Sequence, residues 1–233
     1  MTESADVSSP SAPPPLAAGG TFAPAALTIR TMPMLRAHGM TDPDRIRPAI
    51  LKSAESVRTL VQDRATPVVH YRRLPITACD ADRLVLDGGT ALHSKVFADV
   101  MADCREVVVF VLTLGTGLDA LGEEMNQGDH LLEALFVETG GWHAIEEVTR
   151  LFAHHLTAAL ATEGLRLTRR IGPGYILKGG DDQPAWPLEE QAALFGLFPA
   201  GSLPVRLLDS SAAMVPKMSR SGLYGLRPVA DAG

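Results

Sequence analysis

Apolar side chains recur at helical spacing through Ile46, Ile50, Val57, Leu60 and Val61. The pattern predicts a helix there, with Thr41 or Asp42 as its cap and Pro43 in its first turn. "PVVHYRRLPI" (67–76) and "RLVLDGG" (83–89) read as strands around a turn, and a short helix follows near 94–102. "EVVVFVLTLG" (106–115) is an unbroken apolar run, which predicts a strand covered on both faces. Gly115 and Gly117 end it, and "LDALGEEMNQ" reads as a helix.

From 129 to 162 the pattern is helical again. Leu131, Leu135, Ala144, Val148, Leu151, Phe152, Leu156 and Leu160 mark its apolar face. Gly140 and Gly141 interrupt it, so the segment is either two helices or one with a weak point. A strand, "GLRLTRR", and a glycine-rich loop, "RRIGPGYILKGG" (169–180), come next. "PLEEQAALFGLF" (187–198) reads as an amphipathic helix with proline in its first turn, and "PVRLLDSS" and "SGLYGL" as two more strands. Strands and helices do not strictly alternate, which predicts an α+β fold with a largely antiparallel sheet and flanking helices.

Residues 1–22 are rich in Ser, Pro, Ala and Gly and nearly free of large apolar side chains. Such a segment buries too little to offset its ordering entropy, so a flexible tail is expected there and one domain over 23–233. The end, "RPVADAG", reads as a second loose segment.

Of the 233 residues 46% are hydrophobic and 21% charged, with a net charge of −6. No basic stripe with interleaved aromatics is present, which argues against nucleic-acid binding. No apolar run has the length of a membrane span, and the N-terminus lacks the apolar stretch of a secretory signal. The two cysteines, Cys79 and Cys104, fit no zinc or redox spacing. A cytoplasmic protein is expected.

The chemistry-bearing patterns are mostly negative. The turn after "VVVFVLTLG" matches neither GxGxxG nor GxxxxGK, so it reads as a structural turn rather than a phosphate cradle. His143, Glu147, Arg150 and His154 share a helix face, but His143 and His154 stand roughly 16 Å apart by helix rise, too far to share one ion. They read as a polar stripe, and no metal site is expected. Asp209, Ser210 and Ser211 lack a nucleophile elbow.

The loop at 170–175 differs. Gly172, Pro173 and Gly174 fix the chain path while leaving backbone groups open to a ligand. Arg170 can take a carboxylate with two parallel bonds, and Tyr175 can stack or lie over a cation. Downstream, the small residues of "SSAAMVPKMSRSGLYGL" leave room for a cleft that ends at Tyr224. A plain loop between strands and a grip for a small charged ligand both fit these residues.

Three ordered motifs resemble the activation domain of cobalamin-dependent methionine synthase. Arg170-Ile-Gly-Pro-Gly174-Tyr175 matches an arginine, three residues and Gly-Tyr. "WPLEEQAALFGLF" from Trp186 matches a tryptophan-led helix. Ser211-Ala-Ala213-Met214-Val-Pro216, followed by Ser219-Arg-Ser221-Gly222-Leu-Tyr224, matches Ser-x-Ala-Met-x-Pro and Ser-x-Ser-Gly-x-Tyr. The likeness spans most of the chain after residue 25. The segment that follows Tyr175, "ILKGGDDQPAW", departs from the family pattern.

The resemblance implies a bent antiparallel sheet and S-adenosylmethionine held in a shallow groove. By position, Arg170 would take the methionyl carboxylate, and Gly172, Pro173 and Gly174 would offer backbone groups. Tyr175 would sit beside the sulfonium, and Tyr224, with Ala213 and Ser221, would line the groove. A ligand-side glutamate on the long helix would be Glu146 or Glu147. The implied activity is reductive reactivation of cobalamin, in which an electron from a flavodoxin-type donor is coupled to methyl transfer, with no catalytic side chain. None of the signatures of homocysteine, folate or cobalamin modules occurs in the chain. Cobalamin is therefore expected only through a partner, a separate corrinoid protein or a split methionine synthase subunit. The other readings are a non-catalytic assembly partner of such a system and an independent S-adenosylmethionine-dependent methyltransferase.

Overall fold

The computed structural model describes residues 15–128, 130–175 and 186–229. The chain enters as strand β1 (Gly19–Phe22), then helix α1 (Thr31–Ala37), a 3-10 turn (Pro43–Arg45) and helix α2 (Pro48–Arg64). Strands β2 (Val68–Cys79), β3 (Arg83–Leu86) and β4 (Ala91–His93) follow, then the short α3 (Phe97–Val100) and strand β5 (Glu106–Thr113). Helices α4 (Gly117–Gln127) and α5 (Leu131–Ala161) lead to β6 (Leu165–Leu167). A 3-10 turn (Leu188–Glu190), α6 (Gln191–Phe195), the two-residue strands β7 (Arg206–Leu207) and β8 (Met214–Val215), and β9 (Ser219–Pro228) complete the order.

The main sheet runs β4-β3-β2-β5-β9-β6, with β1 paired to β2, and each of its pairings is antiparallel. The register of β2 shifts between Ile76 and Ala78, where its pairing with β3 is irregular. The structure is thus the expected α+β fold: a largely antiparallel sheet flanked by helices.

Strand β5 sits at the centre and explains its unbroken apolar run. Val108, Phe110 and Leu112 belong to the core under α1, α2, α4 and α5. Val107, Val109 and Val111 belong to a second core with the leucines of β3 and β4, Phe97, Trp186 and Leu194. Alternate side chains enter opposite cores because successive residues of a strand face opposite sides.

Several expectations move. Helix α2 begins at Pro48, because Asp42 caps the separate 3-10 turn by accepting from the Asp44 amide at 3.1 Å. Helix α5 is unbroken across Gly140 and Gly141. There the missing side chains admit neighbours: a Cβ on Gly141 would stand 2.7 Å from Met218 Sδ, and one on Gly140 would stand 3.1 Å from Val61. The helix expected over 187–198 is reduced to a 3-10 turn and five residues of α-helix. The tail expected to reach residue 22 gives way earlier, since Gly19–Phe22 pairs with β2. Phe22 supplies the anchor, its ring 5.7 Å from that of Phe152.

Candidate functional site

Strand β9 builds the site by simple alternation. Arg220, Gly222 and Tyr224 face α5, while Ser219, Ser221 and Leu223 face the opposite core. The loop before residue 176 lies directly against this strand, through a bridge in which Ile171 and Leu223 exchange backbone bonds of 3.1 and 2.9 Å. Two glycines permit the approach. A Cβ on Gly172 would stand 2.8 Å from the Ser221 carbonyl oxygen, and one on Gly222 would stand 2.6 Å from that of Ile171. Gly174 turns the chain with φ +78° and donates its amide to the Trp186 carbonyl at 2.9 Å. Only glycine takes that conformation without strain.

The turn brings the Tyr175 ring close to two guanidinium groups. The Arg170 guanidinium carbon lies 4.6 Å from the ring centre and that of Arg220 lies 5.6 Å from it. Arg220 is only 1% exposed. Its donors are satisfied by Tyr175 Oη at 2.9 Å, Thr149 Oγ1 at 3.0 Å and Glu146 Oε1 at 2.5 Å. Arg170 has no hydrogen bond or ion pair among the described residues; its contact is the Tyr175 ring.

Glu146 is the compensating anion. The hydrogen bond from Arg220 holds its carboxyl below the usual carboxylate range, and the charges of Arg170 and His143 act in the same direction. Glu146 also lines a groove of about 540 Å³, together with Arg30, Pro33, His143, Glu147 and Arg150. In it Arg150 donates twice to Glu147, at 2.9 and 2.7 Å. Tyr224 is buried and stacked on Phe110 at 5.6 Å. Burial pushes its hydroxyl pKa up, and the charges of Arg170, Arg220 and Glu146 all reach it.

The structure therefore gathers Arg170, Gly172, Pro173, Gly174, Tyr175 and Tyr224 around one feature. It does not bring Ser221 and Ala213 there. Ser221 donates to Gln191 Oε1 at 2.9 Å, on the other face of the sheet. Gln191 in turn donates to the Ala212 carbonyl at 2.6 Å, and Ala213 is the next residue along. The departing segment after Tyr175 falls within 176–185, outside the described residues. Arg220 and Thr149 escaped sequence reading, although strand alternation with Tyr224 marks the first and the i, i+3 relation to Glu146 marks the second. A further cavity of about 540 Å³, lined by Asp119, Glu123, Glu138, Lys217 and Met218 between α4 and α5, holds none of the expected residues. Among the described residues no group of His, Cys, Asp or Glu could hold a metal ion, and no helix is long and apolar enough to cross a membrane.

No protein-family model matches the chain, and no curated protein matches it. Among solved structures, the chain is similar to the MetH reactivation domain bound to AdoHcy, with a TM-score of 0.61 at 17% identity. The match covers 94% of this chain and 82% of that one. The mixed helix and antiparallel-sheet fold is that of the MetH reactivation domain.

Proposed function

We propose that this chain binds S-adenosylmethionine beside Arg170 and Tyr175 and supports reductive methylation of cobalamin on a separate corrinoid protein. The observation that carries the reading is Arg170: a guanidinium held over an aromatic ring, with no hydrogen bond or ion pair among the described residues, next to a groove large enough for a small molecule. A methionyl carboxylate satisfies it with two parallel charge-assisted bonds. The sulfur of such a ligand lies four bonds further on, roughly 5 Å away, which is the distance scale of the Tyr175 ring. The groove beyond Glu146 accommodates the adenosine. The solved domain of similar fold carries AdoHcy, the demethylated form of the same ligand.

The chain's own residues supply binding and orientation. The sulfonium methyl is already activated, and the partner's corrinoid supplies the nucleophile after reduction by a flavodoxin-type donor. No general base is needed, and the protein's share of the rate is proximity. The partner is a corrinoid protein or the remainder of a split methionine synthase, and the setting is cytoplasmic.

Isothermal titration with S-adenosylmethionine tests the first half. Heat that vanishes in Arg170→Ala supports it; no heat with the wild-type chain favours an assembly role without ligand. The second half is read from the visible spectrum of methylcobalamin, in a mixture with a corrinoid protein and a reductant. Turnover of another methyl acceptor without any corrinoid protein points instead to an independent methyltransferase.

A further inference from the structure

The two arginines at the Tyr175 ring bear on which form of the ligand the site prefers. Arg170 and Arg220 contribute two positive charges within 4.6 and 5.6 Å of the ring centre. Glu146 contributes one negative charge, through its bond to Arg220. In the adjoining groove, Glu147 is neutralised by Arg150. The immediate surroundings of Tyr175 therefore carry a net positive charge, and the cation-binding capacity of the ring is already taken by the protein's own side chains. Arg220 cannot turn away, because it is buried and its three bonds reach β9's neighbours on both α5 and the loop.

Resting on the reading that an S-adenosyl ligand places its carboxylate on Arg170, we propose that Arg220 is a specificity-determining residue that sets the site against the positive sulfonium and in favour of the neutral thioether, S-adenosylhomocysteine. A carboxylate is welcome in such surroundings. A sulfonium within a few ångströms of Tyr175 meets two like charges, against one compensating anion. When the methyl group leaves with its bond to a two-electron nucleophile such as Co(I), the C–S bonding pair stays on sulfur and the ligand loses its charge. The same arrangement that weakens the donor's binding thus favours its conversion, since interactions stronger with the discharged ligand accelerate the step.

The test is the ratio of the two dissociation constants, measured by calorimetry on the full chain. In the wild type S-adenosylhomocysteine is expected to bind about tenfold more tightly than S-adenosylmethionine, the scale of a like-charge contact in a partly screened site. Arg220→Met, which removes a positive charge, is expected to bring the ratio towards one. Glu146→Gln, which removes the compensating anion, is expected to widen it. Arg220→Gln keeps a donor toward Tyr175 without the charge, and is expected to match Arg220→Met even if the latter folds poorly. A purely structural Arg220 weakens both ligands equally and leaves the ratio unmoved, which overturns the proposal. So does tighter binding of the sulfonium by the wild type. If neither ligand binds the wild type, the S-adenosyl reading itself fails and this inference falls with it.

Discussion

The buried guanidinium of Arg220 donates through Nε to the hydroxyl of Tyr175 at 2.9 Å, across a gap of forty-five residues in sequence. This one bond ties the central part of the sheet to the loop that presents Arg170. Its removal is therefore a test of whether the loop's geometry is imposed by the strand beneath it. In Tyr175→Phe the ring remains but a buried donor is left without its acceptor, at a cost of about 1–3 kcal/mol. Urea unfolding is expected to show that loss, while the stacking of Arg170 on the ring persists. Tyr175→Ala is expected to lose both, and to weaken binding of S-adenosylmethionine and S-adenosylhomocysteine alike.

The glycines where the loop meets β9 are expected to be intolerant for a different reason. Gly222→Ala places a methyl carbon 2.6 Å from the Ile171 carbonyl oxygen, and Gly172→Ala places one 2.8 Å from that of Ser221. Both clashes are with backbone, which cannot swing aside as a side chain can. The bridge between Ile171 and Leu223 must open to relieve either one. Each substitution is expected to destabilise by about 1–3 kcal/mol and to lower ligand affinity. Gly39→Ala, at a glycine with open space around it but φ +79°, is expected to lower stability without touching ligand affinity. Thermal unfolding and calorimetry on the three variants separate these effects.

The legibility of the chain follows the same division between local and long-range causes. The strand over 106–115 was readable because burial on both faces removes polar residues from the sequence, and β5 does serve two cores. The Arg170–Tyr175 loop was readable because glycines, a proline and an aromatic ring stand consecutively. Arg220 was not, since the acceptors of its buried charge, Glu146 and Thr149, are more than seventy residues away. The same holds for Gly140 and Gly141, where a pattern-breaking pair signals close approach of Val61 and Met218 rather than a break. Ser221 and Tyr224 belong to one motif, yet three steps along a strand place them on opposite faces, and the sheet separates the two.

Phe152 is the point at which the core and the site's floor share a support. Its ring lies 5.5 Å from Phe110, 5.6 Å from Tyr71 and 5.7 Å from Phe22. Phe110 in turn carries the stacked ring of Tyr224. Phe152→Ala is expected to cost about 3–5 kcal/mol and to loosen β1, whose Phe22 then keeps only its stack on the His155 ring at 4.9 Å. Limited proteolysis ahead of β2, together with a lowered unfolding midpoint, checks both consequences.

Glu146 has its pKa lowered in the folded chain, chiefly by the hydrogen bond from Arg220. A carboxyl with a depressed folded pKa contributes stability that is complete above the unfolded value, about 4.3, and is lost as pH falls through the folded value. Neutral pH therefore leaves the Arg220–Glu146 pair intact, and the loss is confined to the acid side of the ordinary carboxylate range. The carboxylate is 61% exposed, so solvent screens it and the contribution to global stability is modest. The more sensitive readout is the site itself: protonating Glu146 leaves the buried Arg220 without its anion. Tyrosine fluorescence does not isolate this event among three tyrosines, whereas the carboxyl carbon of Glu146 followed by NMR does. It is expected to titrate below the ordinary glutamate value in the wild type and to return toward it in Arg220→Gln.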